Sequence, residues 1–182
     1  MTDQQPVSDA SVRRARPGDS EALAAITLAW WQAQPEDLVP ASALDAVTVD
    51  DLARDWRDAV SAPPSRRHVV LVALDGDEVV GYALAEPSQD PDSDSASCEL
   101  VELLVRDDRT RRGHGSRLLA AVVDTLREAG GVELLTWVTT GDDARRAFLA
   151  SAGLALDGAS RTLAEGFGPA PLRQVRCSAR ID

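Results

Sequence analysis

The segment with the plainest chemical potential is Thr110-Arg111-Arg112-Gly113-His114-Gly115-Ser116. It follows a short apolar run, Leu103-Leu104-Val105, and leads directly into a pattern with helical spacing. Two glycines with one residue between them let the backbone turn tightly and bare its N–H groups. The helix behind them adds about four unpaired N–H groups and the positive end of its dipole, which together make a cradle for an anion such as a pyrophosphate. Arg111 and Arg112 add positive charge where phosphates would lie, and five of the nineteen arginines fall between Arg106 and Arg117. The same letters also describe a tight strand-to-helix turn beside a solvated charge run. They do not spell a Walker A loop, which needs Gly-Lys-[Ser/Thr], nor a dinucleotide fingerprint, which needs a third glycine.

Composition narrows the other chemistry on offer. The chain has 182 residues, 19 positive and 30 negative side chains, and a net charge of −11. Every positive residue is arginine, so a lysine nucleophile, a Schiff base and a P-loop lysine are all excluded. The acidic balance argues against general binding to nucleic acid or anionic membranes, both of which need a positive footprint. Two histidines (His68, His114) and two cysteines (Cys98, Cys177) form no CxxC, no HExxH and no close pair. No metal site is expected from them, and the two cysteines read as free thiols. Met1 to Asp9 is polar and acidic, unlike a signal peptide, and no apolar run approaches the ~20 residues of a membrane span. A soluble cytoplasmic protein is expected.

Elements must hold the cradle in place, and the apolar periodicity supplies them. Residues 1–10 read as a flexible tail, and 11–182 as a single α/β domain of ordinary size. Val12 to Arg16 alternates like a short strand, and Pro17-Gly18-Asp19 breaks it, with Asp19 or Ser20 as the cap of a following helix. A second helix is predicted from Val49 to Val60. His68 to Leu74 and Glu78 to Ala85 read as a hairpin about Asp75-Gly76-Asp77. A polar loop, Pro87 to Ser97, precedes a strand from Glu99 to Val105. Beyond the glycine loop come a helix to Ala129, a strand from Val132 to Thr139, and a helix capped by Asp142 or Asp143. Two weaker strands, Arg161 to Ala164 and Leu172 to Ser178, flank a turn at Glu165 to Pro171. The predicted order is β-α-α-β-β-β-α-β-α-β-β.

From the loop outward the chain resembles the GNAT superfamily of acyl-CoA-dependent N-acyltransferases. The family pattern is a strand ending in Val or Ile, a polar link, then [Gln/Arg]-x-x-Gly-x-[Gly/Ala] opening a helix. Here it reads Leu103-Leu104-Val105, Arg106 to Arg109, and Thr110-Arg111-Arg112-Gly113-His114-Gly115. The resemblance covers about residues 12 to 180 and is tightest in the loop. It implies a GNAT fold: a mixed, mostly antiparallel central sheet flanked by helices, with the CoA site where the fourth and fifth strands splay apart. It implies acetyl-CoA as acyl donor. Arg111, Arg112, Gly113, His114, Gly115 and Ser116 would then hold the pyrophosphate, and the backbone of Leu103, Leu104 and Val105 would meet the pantetheine arm and polarise the thioester. His114 reads as a loop residue or an adenosine-side contact.

The resemblance also points to a base for the attacking amine. Glu99, six residues before Val105, occupies the position at which several family members place a proton-accepting glutamate. Glu102 is the other candidate, on the opposite side of a regular strand unless a bulge changes the parity; no protein base at all is the third reading. Two departures matter. Thr110 stands where the family has Gln or Arg, and Leu149 stands where many relatives carry a tyrosine that protonates the departing thiolate. Tyr82, the chain's one tyrosine, or water is left for that role. Trp30 and Trp31 are adjacent, so one of them is expected in the acceptor groove. Six acids and no base between Glu86 and Glu102 would favour a cationic amine. The function these residues support is acetyl transfer to a primary amine of a small molecule or peptide. The alternatives are a GNAT-fold acyl-CoA-binding module with little turnover, and a phosphate-cradling domain unrelated to CoA. The C-terminal strands leave room for a homodimer.

Overall fold

In the computed structural model, which describes residues 10–36, 38–163 and 171–182, the β-branched and leucine-rich runs become seven strands of one sheet. Strands β1 (Ala10–Arg14), β2 (Val69–Asp75), β3 (Glu78–Pro87) and β4 (Ser97–Val105) run antiparallel to their neighbours. Strand β5 (Glu133–Thr139) joins β4 in parallel, and β6 (Ala155–Leu163) and β7 (Leu172–Arg180) complete the order β1-β2-β3-β4-β5-β7-β6. Helices α1 (Ser20–Gln32), α3 (Val49–Ser61), α4 (His114–Glu128) and α5 (Asp143–Ser151) match the expected ones closely. A single-turn helix, α2 (Ala41–Asp45), is new: Pro40 caps a segment too short to show periodicity.

Local chemistry explains the boundaries. Gly76, at φ +62°, supplies the left-handed turn between Asp75 and Glu78. Thr48 and Asp51 form a reciprocal capping box that starts α3. Asp142 accepts from the Arg145 N–H at 2.9 Å and starts α5. Asp19 precedes α1, yet its carboxylate does not cap that helix. It takes two hydrogen bonds from Arg13, at 2.7 and 2.9 Å, and one from the Arg16 N–H at 2.7 Å, which ties β1 to the helix start. Ala10, expected in the tail, opens β1, and residues 1–9 fall outside the described ones. So do residues 165–170 of the expected C-terminal turn.

Each face of the sheet is covered by its own helices. On one, Leu118, Leu119, Val122 and Leu126 of α4 and Leu149 of α5 pack on Val69, Leu71, Ala83 and Leu100. On the other, Leu23 and Ile26 of α1 and Trp56 of α3 pack on Val72, Tyr82 and Leu104. The two helix layers leave the β4–β5 junction between them, and the candidate site lies there. No helix among the described residues is long and apolar enough to cross a membrane.

Candidate active site

The junction is open because β4 and β5 pair over only three positions, Ser97–Glu133, Cys98–Leu134 and Glu99–Leu135. Beyond Glu99 the strands part. The Thr136 hydroxyl then bridges the gap, donating to the Leu100 carbonyl at 2.8 Å. Past that point the β5-facing edge of β4 has no strand paired to it among the described residues, so its backbone groups can pair with an extended ligand. The opposite edge stays tightly held by β3. A Cβ on Gly81 would lie 2.6 Å from the Leu104 carbonyl oxygen, so only glycine lets the strands approach this closely.

A bulge settles which way the two acids point. Leu84 pairs with Glu102 while its neighbour Ala85 pairs with Leu100, so Val101 is an extra residue in β4. Side chains alternate along a strand, and this insertion reverses the alternation. Glu99, opposite Glu86, and Glu102, opposite Leu84, therefore share the face that carries Tyr82, the face covered by α1 and α3. A regular strand would have separated them.

Their surroundings differ. Tyr82 is fully buried, and its hydroxyl donates to Glu102 Oε2 at 2.5 Å. Thr27 Oγ1 stands 2.8 Å from the same hydroxyl, and the Trp56 indole N–H donates to Thr27 at 3.2 Å. The Trp56 and Tyr82 rings meet edge to face at 4.9 Å. Burial pushes the Glu102 carboxyl above the usual carboxylate range, opposed by the Tyr82 hydrogen bond and by the charge of Arg145. Burial, followed by the Glu102 charge, pushes the Tyr82 phenol up as well. The single tyrosine proton is thus committed to Glu102.

Glu99 instead faces a cavity of about 380 Å³ whose walls include Asp90, Trp137, Arg161 and Arg176. Burial raises its carboxyl, Arg161 opposes the rise, and Glu86 and Asp90 add to it. Arg176 donates to Asp90 at 2.8 Å and to Asp157 at 2.6 Å. The acidic run between Glu86 and Glu102 is therefore partly neutralised by arginines from β6 and β7, more than 55 residues away in sequence. A second cavity, about 310 Å³, lies between α1 and the end of β4 and is lined by Trp30, Leu104 and Val105. Trp30 is the exposed member of its pair, while Trp31 packs against Ala24, Leu52 and Ala53.

The glycine loop closes the wide end of the split. Arg111 (φ +61°) and Gly113 (φ +82°) are both left-handed, and Gly113 caps α4. The first N–H groups of α4, which have no partner within the helix, follow this turn, the arrangement of an anion cradle. Gly115 is different, since a Cβ there would meet Leu103 and Phe148 at ordinary contact distances of 3.6–3.8 Å. Ser116 is exposed on the first turn. Not every arginine contributes free charge. Arg106 and Arg109 are paired with Glu78, and Arg109 and Arg112 both stand 3.7 Å from Asp75. Arg111 and Arg117 have no carboxylate within 4.0 Å among the described residues. His114 turns inward and is buried, so it contacts the protein interior rather than an adenosine. Burial lowers its pKa, opposed by the Asp75 charge and reinforced by the nearby arginines, and neither ring nitrogen has a hydrogen-bond partner among the described residues.

Leu149 is buried in the core against α4 and carries no proton to give. Two participants were invisible in the sequence because they come from distant segments. Arg145, one turn before Leu149, is desolvated, interacts electrostatically with Glu102, and has a buried Nε with no partner among the described residues. Trp137 lines the cavity beside Glu99. No group of three or more His, Cys, Asp or Glu residues is placed to hold a metal among the described residues.

Comparison with known proteins bears on this geometry. Residues 25–154 match the model of the acetyltransferase (GNAT) family. A mycothiol acetyltransferase of Streptomyces coelicolor is 34% identical over 158 residues, which are 82% of this chain and 45% of the relative. One from Rhodococcus erythropolis is 46% identical over 68 residues, 37% of this chain and 20% of the relative. These alignments span less than half of the curated relatives' own length. A putative acetyltransferase of Salmonella typhimurium, solved with acetyl-CoA, superposes with a TM-score of 0.73 over 95% of this chain and 94% of its own, at 18% identity. A ribosomal-protein-alanine N-acetyltransferase of Brucella melitensis gives 0.75 over 93% and 99%, at 22% identity. These two structures share the fold.

Proposed function

Because the chain belongs to the acetyltransferase (GNAT) family, we propose that it moves the acetyl group of acetyl-CoA to a primary amine of a small molecule or peptide, by direct attack of the amine on the thioester. The observation that carries this reading is the split of β4 from β5 past Glu99, with the left-handed loop and the start of α4 at its open end. The residues present fit the donor. Free strand backbone suits the amides of a pantetheine arm, and the bared N–H groups after Gly113 suit a pyrophosphate, with Arg111 adding charge. When bound, the donor supplies an electrophilic carbonyl and a thiolate leaving group.

The chain's own residues do the rest. Leu103 to Val105 orient the donor along β4, and Gly113 to Ser116 anchor its phosphates. Glu99 takes the proton from the attacking amine. It is preferred over Glu102 because it lines the cavity that adjoins the split, whereas Glu102 is tied to Tyr82. Its desolvated carboxyl is a stronger base than an exposed one, as that task requires. Tyr82 acts on Glu102 and not on the thiolate. With Leu149 in the core, the thiolate takes its proton from water.

That same Leu149 favours a second reading, an acyl-CoA-binding module with little turnover. Direct measurement of free CoA with acetyl-CoA and an amine panel decides between them. The panel includes the mycothiol acceptor, since the curated relatives carry that name. Release with at least one amine is expected. Acetyl-CoA binding with no release from any amine would establish the module instead.

A further inference from the structure

The cavity beside Glu99 holds charges that its own walls do not satisfy. Arg176 is accounted for, clamped between Asp90 and Asp157. Arg161 is not. Its Nε donates to the Gln174 side chain at 2.7 Å, and its guanidinium lies 4.3 Å from the centre of the Trp137 ring, which fixes its plane. Its two Nη groups have no acceptor among the described residues, although Glu99 lines the same cavity. Trp137 lines the same cavity with its ring, while its indole N–H is buried and without an acceptor among the described residues. Arg161 is exposed at this wall, so its fork is free to receive an acceptor group from a ligand.

The same cavity is lined by Glu99 and Asp92, neither in an ion pair among the described residues. The cavity thus offers both oxygen acceptors and a guanidinium donor. We infer that the acceptor substrate carries a carboxylate as well as its amine: the amine meets Glu99, and the carboxylate is held by the Arg161 fork. A planar monoanion matches one guanidinium edge. A phosphate dianion would face Asp90, Asp92 and Glu99 with only Arg161 unpaired to offset them. The volume, about 380 Å³, suits a molecule the size of an amino acid. Glu99 is also the last residue of β4 paired to β5, so an amine held there lies at the mouth of the split.

This inference names the acceptor class for the proposed acetyl transfer and rests on that reading for the amine's role, but binding tests it without turnover. Calorimetric titration of the whole chain would use the common L-amino acids, β-alanine and 4-aminobutyrate, each beside its carboxamide. At least one amino carboxylate is expected to bind roughly tenfold to a hundredfold more tightly than its amide, the range of a charged hydrogen bond. Arg161→Gln should remove that difference, and Arg161→Lys, which keeps the charge without the fork, should keep part of it. Arg161 is exposed on β6, and an unchanged melting temperature checks that the variants fold. Selective binding with no CoA release would overturn the transfer reading and leave this one standing. Acid and amide bound alike, neither bound, or selectivity that survives Arg161→Gln would overturn this one, whatever the turnover.

Discussion

If Glu99 is the base proposed above, this half-buried carboxyl sets how the site responds to pH. Burial raises the Glu99 carboxyl above the ordinary carboxylate range, so the base form is lost at a higher pH than for an exposed glutamate. The acidic limb of kcat/KM should reflect that value, and Glu99→Gln should remove the limb and lower kcat/KM at pH 7 about a hundredfold or more. Stability should move the other way. A carboxyl whose pKa is raised on folding binds more protons in the native state, so its contribution to stability falls as pH rises from the ordinary range through the native value. Glu99→Gln should therefore melt above the parent protein at pH 7, and the gap should close at pH 4. Tyr82→Phe tests the neighbour. It removes the hydroxyl that donates to Glu102, while Thr27 keeps Leu23 and Trp56 as partners, and should cost about 1–3 kcal/mol, yet leave the acidic limb in place. A limb that moves upward in Tyr82→Phe would make Glu102 the base, because the tyrosine hydrogen bond favours its ionised form.

Strands and turns fix where those side chains stand, and two glycines show how narrowly. Gly81→Ala drives a Cβ to 2.6 Å from the Leu104 carbonyl, a backbone atom that cannot swing aside. A loss of about 2 kcal/mol is expected, roughly 4–8 °C in melting temperature at this chain length. At the loop, Gly113→Ala must hold a left-handed φ of +82° with Arg117 Nη1 at 3.0 Å, so it should melt lower and lose the stabilisation that acetyl-CoA confers. Gly115→Ala meets only ordinary contacts and should keep both. The loop, the hairpin and the apolar helix faces were legible in sequence because each rests on a local rule: a left-handed turn, a cap, a 3.6-residue period. The Val101 bulge was not, because parity along β4 depends on which β3 residue stands opposite, and that register is set by tertiary pairing. For the same reason the sequence showed Glu99 and Glu102 without showing that they share a face. Trp137, Arg145 and Arg161 reach the site from segments that carry no motif of their own. Strand β6 was expected to begin at Arg161 but starts at Ala155, its exposed residues and its irregularity between Leu156 and Ser160 hiding the alternation.

Across the whole molecule, a net charge of −11 conceals a division of labour. The loop arginines looked in sequence like a uniform positive patch, but Asp75 and Glu78, at the β2–β3 hairpin, reach across and neutralise part of it. These partners fix Arg106 and Arg109 as supports for the turn. They leave Arg111 as the guanidinium best able to meet a phosphate, at the one non-glycine residue with positive φ among the described residues. Donor binding should accordingly weaken with salt, since exposed charges are screened over about 10 Å at 0.1 M. Raising sodium chloride from about 50 to 500 mM should raise the acetyl-CoA KM severalfold while kcat changes little. Arg111→Gln should produce a similar rise at low salt and flatten the salt dependence. Arg112→Gln, which loses a charge that Asp75 already shares, should do less. An equal effect of the two substitutions would mean that the phosphates displace Asp75 from Arg112, making the hairpin a competitor for the donor's site and not merely a support beneath it.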